Sequence, residues 1–361
     1  MVCIVAFLVV LVLSAVSAKY RRLLGTAWGC AWRRVTLRPC DTTFREDVKN
    51  SMLAPLAVRA PRLVRPASIA IEAIAALMVV SLVVSLYLLG RSGLNLFVYG
   101  TCDKQDTQAC ALAAEACSIG GAPDFWQSIG EGNVVGAFGD EFSSLGETIA
   151  AVPSRMKAWD AADYVSPDAT YLGGYREGLP VALEVLDPGC RFCAELFRNI
   201  EASGFAKTHN LAYLAYPITS SLGSKFPNSP LVASYLAAVQ AYEAAHGEGG
   251  DAGRMTGDWY ILEQLFTGTD AGGVGWQEWM NGADAAGARA QLQQWLVDAG
   301  YSADAVGEID ALSGSDDVAA ALTRTRATVE DEIRTVSIPT LIAGGGLHAG
   351  VRDADTLARL G

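Results

Sequence analysis

Two cysteines three residues apart, Cys190 and Cys193, offer the most direct chemistry in this chain. A cysteine acts as a nucleophile in its thiolate form, and at a pKa of about 8.5 little thiolate exists at neutral pH. The surrounding stretch Leu179–Phe197, LPVALEVLDPGCRFCAELF, changes that balance. Its continuous apolar run Val181–Leu186 predicts a buried strand, Asp187-Pro188-Gly189 predicts a turn, and the remainder predicts a helix opening at Cys190. A helix N-terminus has unpaired N–H groups and about half a positive charge, so it favours an anion. Cys190 meets that field first, and Arg191 adds a cation beside it. Cys193 falls one turn deeper on the same face. It is close enough to pair with Cys190 and to resolve a mixed disulfide formed there. Three chemistries fit: redox exchange, a structural disulfide, or half of a zinc site. Zinc takes four ligands, and the remaining cysteine spacings provide no second pair to match.

The elements that must position this pair follow in order. After a helix over Cys190–Ser203 comes a second apolar strand, Leu211–Ile218, so strand, helix and strand form a parallel β-α-β unit. Ser229-Pro230 is an N-cap and first-turn pair opening a helix to His246. Further helices are expected over Asp258–Phe266, around Trp276 and Trp279, over Ala285–Ala299, and over Val318–Arg334 behind the cap Ser315. The tryptophans sit at helical spacing and read as core, with a peptide groove as the alternative. A last strand, Thr340–Ala343, follows Ile338-Pro339. Proline is tolerated at the first residue of a strand, and an X-Pro bond in a folded site can be cis. Gly344–Gly346 is a turn, and a closing strand and helix occupy His348–Leu360, with His348 on the surface.

Charge and hydropathy divide the chain. The net charge is −12, yet residues 19–66 hold 11 Lys and Arg against 3 Asp and Glu, while residues 91–361 hold 16 against 35. The acidic C-terminal part argues against nucleic-acid binding, which wants a basic surface. Residues 1–18 and 67–90 are apolar enough for transmembrane helices. A basic loop stays in the cytoplasm, so 19–66 is read as inside and everything after Arg91 as outside. A cleaved signal peptide ending near Ala18 is the alternative for the first segment. Trp28, Trp32 and Arg33-Arg34 then suit the lipid surface. Disulfides persist outside the cytoplasm, which places Cys102, Cys110, Cys117, Cys190 and Cys193 where they form. Cys102, Cys110 and Cys117 are candidates for a structural staple, Cys102 with either of the others, or for an accessory thiol that exchanges with the redox pair. Cys30 and Cys40 lie in the cytoplasmic loop with no role indicated. Cys102–Ile119, containing ACALAAEAC, reads as a short helix, and 91–170 as a spacer before a domain starting near Tyr171.

Strand, Cys-x-x-Cys and helix is the sequence form of a thioredoxin-like redox site. With the later Ile338-Pro339-Thr340 strand, residues 171–361 resemble the DsbA-like thiol:disulfide oxidoreductases of the thioredoxin superfamily. The resemblance covers roughly half the chain. It implies an α/β thioredoxin-like fold with a helical insertion at about 219–334, here preceded by two transmembrane helices. By that resemblance Cys190 is the nucleophile, Cys193 the resolving thiol and Pro339 a cis-proline beside the disulfide. The Ile338 backbone pairs with substrate, with Arg191 and Phe192 flanking it. Glu184, six residues before Cys190, lies beneath Cys193 and relays its proton. The Arg191-Phe192 dipeptide departs from the family, which often has Pro directly after the nucleophile and His in the dipeptide. Strong oxidising power therefore does not carry over.

The expectation is a membrane-anchored, extracytoplasmic thiol:disulfide oxidoreductase acting on exported Cys-containing proteins. It needs no cofactor or metal and is reset by a membrane redox partner. A reductase serving one client, such as apocytochrome c, and a non-catalytic interaction domain with a structural disulfide are the competing readings.

Overall fold

The computed structural model describes residues 58, 61–104, 106–107, 114–119, 125–220, 223–246 and 255–360. Two compact units divide the chain, 1–91 and 92–361, and each is taken by itself. The expected first transmembrane segment, most of the basic loop, Cys3, Cys30, Cys40 and Cys110 lie outside the described residues.

A 3-10 turn, Pro61–Leu63, leads into helix α1, Val64–Tyr99. Within it Val80–Tyr99 is, among the described residues, the one segment long and apolar enough to cross a membrane, with mean hydropathy 1.4. It starts later than the expected 67–90. Leu77, Val80, Val83, Leu86 and Leu89 are exposed. An all-round apolar helix with exposed large side chains suits lipid.

In the second unit the C-terminal end of α1 buries Asn95, Val98 and Tyr99. The expected short helix over Cys102–Ile119 is not what forms where the segment is described. Instead Cys117–Ser118 is a strand, β1. Helix propensity is a weak prior, and a tertiary contact overrides it here. Two helices follow, α2 (Phe125–Gly130) and α3 (Val134–Met156), the latter capped by Asn133 accepting from Gly136 N. Trp159 and Ala161 already belong to the main core, and Trp159 N donates to Gly345 O. The fold therefore reaches back before Tyr171, and the stretch read as a spacer contributes core.

The central sheet has strand order β3-β2-β7-β8. Strand β2, Val181–Leu186, pairs in parallel with β3, Asn210–Ala215, and antiparallel with β7, Thr340–Ala343. Strand β8, Gly346–Ala349, closes the edge. A strand covered on both faces reads as a continuous apolar run, and VALEVL is buried from Ala182 to Leu186. Helix α4, Arg191–Ser203, crosses from β2 to β3. Its Cys193, Leu196, Phe197 and Ile200 face the core, and it ends at Gly204 in the left-handed region, the usual stop. This agrees with the expected α/β order of strand, Cys-x-x-Cys helix, strand, insertion, Ile-Pro-Thr strand.

After a small ribbon, β4 (Thr219–Ser220) with β5 (Gly223–Ser224), the insertion contributes six helices among the described residues. They are α5 (Ser229–His246), α6 (Gly257–Thr267), α7 (Trp276–Gly282), α8 (Ala285–Asp298), α9 (Ala303–Ser313) and α10 (Asp316–Ala327). Side chains of Asp284, Ser302 and Ser315 cap the last three, a standard use of Asp and Ser. Trp259, Trp295, Leu292 and Ile309 fill the core, with Trp276 and Trp279 packed on it. A π turn, Thr328–Ile333, leads to β6 (Ser337–Ile338), and α11 (Ala354–Ala358) ends the fold. Strand β6 pairs with β1 in a separate two-stranded ribbon.

Candidate redox site

The turn between β2 and α4 is built around Asp187. Its Oδ1 accepts from Gly189 N at 2.8 Å and from the Ser229 hydroxyl, and its Oδ2 accepts from Ile218 N at 2.7 Å. Burial raises its pKa from the usual carboxylate value, and these three donors pull it back. Helix α7 grips the same turn from the insertion. Gln277 Nε2 donates to Pro188 O at 2.8 Å and Cys190 O at 3.1 Å, and Asn281 Nδ2 donates to Gly189 O at 3.0 Å. Gly189 is required by close approach, since a Cβ there would lie 2.3 Å from Phe226 Cβ. Cys190 thus stands at the N-cap of α4 on an immobilised turn. Asp187, Gln277 and Asn281 are not among the site residues that the sequence pattern indicates. The Asp two residues before Gly189 is a turn signal legible in the sequence. The α7 clamp joins positions almost ninety residues apart, and no spacing rule reaches that far.

The structure bonds Cys190 to Cys117, 73 residues earlier, and leaves Cys193 a free, buried thiol. This corrects the expectation of a Cys190–Cys193 disulfide. Helical spacing permits that pair, but β1 brings a competing thiol to the same sulfur. It also removes Cys117 as a staple partner of Cys102, which is itself disulfide-bonded. The two-residue β1 lies antiparallel to β6, with Cys117 opposite Ile338 and Ser118 opposite Ser337. Ile119 N donates to Val336 O at 3.0 Å, Val351 N to Glu115 O at 2.9 Å, and the Thr107 hydroxyl to Ala116 O at 2.6 Å. Cys190 Sγ lies 3.7 Å from the Ile338 carbonyl oxygen, and the Ile338–Pro339 peptide bond is cis.

Beneath this disulfide sit two groups with poor electrostatic support. The Cys193 sulfur accepts one hydrogen bond, from Asp187 N at 3.4 Å. Burial pushes its pKa well above the ordinary thiol value, and the nearby carboxyls of Glu184 and Asp187 push the same way. Glu184, on the central strand between Tyr213 and Leu341, has both carboxyl oxygens buried without a partner. Burial raises its pKa to about 8. Lone buried carboxylates take up a proton rather than stay charged, so Glu184 holds a proton at neutral pH. Arg191 is exposed and lies over the Phe192 ring, which is buried. Both line an open groove of about 490 Å³ beside the disulfide, together with Ala116, Cys117, Ser118, Phe226 and Gln277. His348, expected on the surface, is half-buried with a ring nitrogen 3.2 Å from Ala343 O, and burial lowers its pKa. Among the described residues no His, Cys, Asp and Glu cluster could hold a metal ion.

No protein-family model matches the chain, and no curated protein matches it. Solved structures similar to it include a thioredoxin-like oxidoreductase from Silicibacter pomeroyi DSS-3, 13% identical over 54% of this chain and 91% of that one, TM-score 0.36. A periplasmic thioredoxin-like protein from Salmonella enterica serovar Typhimurium is 15% identical over 55% and 91%, TM-score 0.34. The thiol-disulfide oxidoreductase MdbA from Corynebacterium diphtheriae is 13% identical over 55% and 96%, TM-score 0.37.

Proposed function

We propose that this chain is a membrane-anchored, extracytoplasmic thiol:disulfide oxidoreductase of the DsbA-like kind, acting on exported Cys-containing proteins. One observation carries the reading: Cys190, at the N-terminus of α4, is in a disulfide while a free thiol, Cys193, stands one turn behind it. Disulfide exchange needs an attackable sulfur and a second thiol to resolve the mixed disulfide. Cys190 supplies the first and Cys193 the second. The ionised form of Glu184, a minority at neutral pH and half the population near pH 8, takes the proton that Cys193 must lose, and Ile338 and Pro339 border the disulfide where a client strand pairs. Arg191 and Phe192 flank that position. The apolar segment in α1 supports the anchor, and the charge asymmetry about it supports an outside position for residues 92–361. A membrane redox partner resets the pair.

The test is the reduction potential of the Cys190 couple in the full chain, held in detergent and poised in glutathione buffers. A value near −120 mV marks a disulfide donor, and one near −270 mV a reductase, the activity a dedicated client such as apocytochrome c requires. Resistance to reduction well below about −300 mV sinks the catalytic reading. The second reading, a non-catalytic interaction domain with a structural disulfide, is favoured by one observation. Cys190 is fully buried and Cys117 is 8% exposed, so solvent scarcely reaches the bond.

A further inference from the structure

The ribbon of β1 and β6 has the features of a bound peptide. Its β1 side is two residues long, extended, antiparallel to Ser337–Ile338, and covalently joined to the sulfur at the centre of the site. Ala116 and Cys117 are buried, Ser118 is half-buried, and Ile119 packs on the core. A purely structural staple has no use for a third buried thiol with an unpartnered carboxyl beside it. Cys193 is that thiol and Glu184 that carboxyl, and a buried carboxyl without a partner is destabilising. These two groups are accounted for if the Cys117–Cys190 bond is meant to open.

We propose that Cys117 is a third redox-active residue and that its segment is a resident occupant of the client-binding edge. This rests on the oxidoreductase reading above. In the step, the Cys193 thiolate attacks Cys190 Sγ, the Cys190–Cys193 bond forms, and the Cys117–Cys190 bond breaks. The electron pair leaves with Cys117 as a thiolate, which takes up the proton Cys193 gave up. One disulfide and one thiol become one disulfide and one thiol, so no outside oxidant is consumed. β1 can then leave β6, and the groove lined by Phe192, Phe226 and Gln277 opens toward an extended client. The client that fits in its place resembles what it replaces. It is an extended segment with a small residue before its cysteine and an aliphatic side chain two residues after.

The test uses the full chain in detergent, with a model peptide containing Ala-Cys-Ser-Ile as a mixed disulfide with glutathione. A tethered thiol has an effective concentration of ~1 mM, so against ~10 μM peptide it should win by roughly 100-fold. In Cys193→Ser, mass mapping is expected to find Cys117 joined to Cys190 and almost no peptide adduct. In Cys117→Ser with Cys193→Ser, the adduct on Cys190 is expected to rise by that factor. In the unaltered chain, alkylation followed by mass mapping should trap Cys117 as Cys190–Cys193 accumulates, without added reductant, because the exchange between the two disulfides is redox-neutral. Equal adduct in the two variants, with Cys190 still reactive, overturns the role of Cys117 and leaves the oxidoreductase reading standing. No adduct in either variant, and no trapped Cys117 in the unaltered chain, overturns both.

Discussion

The two sulfurs of the Cys117–Cys190 bond are held by very different structures. On one side, Cys190 follows a central strand buried from Ala182 to Leu186, and its turn is tied by Asp187 within the turn and by Gln277 and Asn281 from helix α7. On the other, Cys117 belongs to a two-residue strand held by β6 and a few backbone contacts. Rigidity on the Cys190 side fixes where a partner sulfur must come. Sparse holding on the Cys117 side is what the proposed exchange of that partner requires. A site built on packed elements is more exact than one on loops, and here Cys190 has the packed element while Cys117 has a two-residue strand.

The largest effect that tests this contrast comes from the sulfurs themselves. Cys190→Ser and Cys117→Ser each remove the same cross-link, which closes a 73-residue separation. By loop entropy each loses roughly 4 kcal/mol of stability in the oxidised protein. Only Cys190→Ser should also abolish exchange with glutathione, because Cys193 can still pair with Cys190 in the other variant. Guanidinium unfolding in detergent and a glutathione exchange assay read the two quantities separately. If both variants lose exchange alike, the two sides are equivalent and the contrast fails.

Next is the turn. Asp187→Ala strips the acceptor from Ile218 N and the Ser229 hydroxyl, while Gly189 N keeps Ser229 Oγ at 2.9 Å. Buried donors left unpaired cost about 1–3 kcal/mol each, and with partial rescue by water a total near 3 kcal/mol is expected. The same unfolding assay measures it.

Glu184 gives an effect with a definite sign in pH. Its folded pKa is about 8 against an ordinary 4.5, so between those values the folded state binds more protons than the unfolded one. Stability therefore falls as pH rises from about 4.5 and levels off above about 8. At 1.36 kcal/mol per unit, the loss by pH 7 reaches up to about 3 kcal/mol. Glu184→Gln should flatten that decline, read as the unfolding midpoint across pH 4.5–8. The same variant should lose the rise in Cys193 resolution rate that ionisation of Glu184 near pH 8 produces. A flattened stability curve with an unchanged rate profile would leave Glu184 a structural acid and not a proton acceptor.

What could be read from residues alone follows the same division. Val181–Leu186, the helix behind Ser229-Pro230 and the Ile338-Pro339 strand were legible because each is written in a local pattern: a continuous apolar run, a cap, a proline at a strand start. The Cys117 segment was not. ACALAAEAC has strong helix formers, and nothing local states that Cys117 will lie across Ile338. Nor does i,i+3 spacing at Cys190 and Cys193 reveal a competitor from 73 residues away. Trp159 does not read as core because it stands outside any apolar periodic run. Helix α9 is not legible because Gly300 and Gly314 bracket a segment interrupted by Gly307, which weakens its helical pattern.

The smallest expected effects set one hydrogen bond on each side against the other. Gln277→Ala removes the amide that donates to Pro188 O and Cys190 O. Thr107→Val removes the hydroxyl that donates to Ala116 O. Each should cost about 1 kcal/mol in unfolding experiments, the usual net value of a hydrogen bond. Their kinetic consequences should be opposite in sign. Loosening the Cys190 turn misaligns the sulfur for in-line attack by Cys193 and slows release of Cys117. Loosening β1 raises the energy of the closed ribbon without touching the attacking pair. If that contact is lost in the transition state, ~1 kcal/mol becomes roughly a fivefold faster release. Stopped-time alkylation of Cys117 without added reductant, where Cys193 is the attacking thiol, measures both rates. Two variants that lose equal stability but shift release in the same direction would mean that β1 is held as firmly as the turn, and that Cys117 is part of the scaffold.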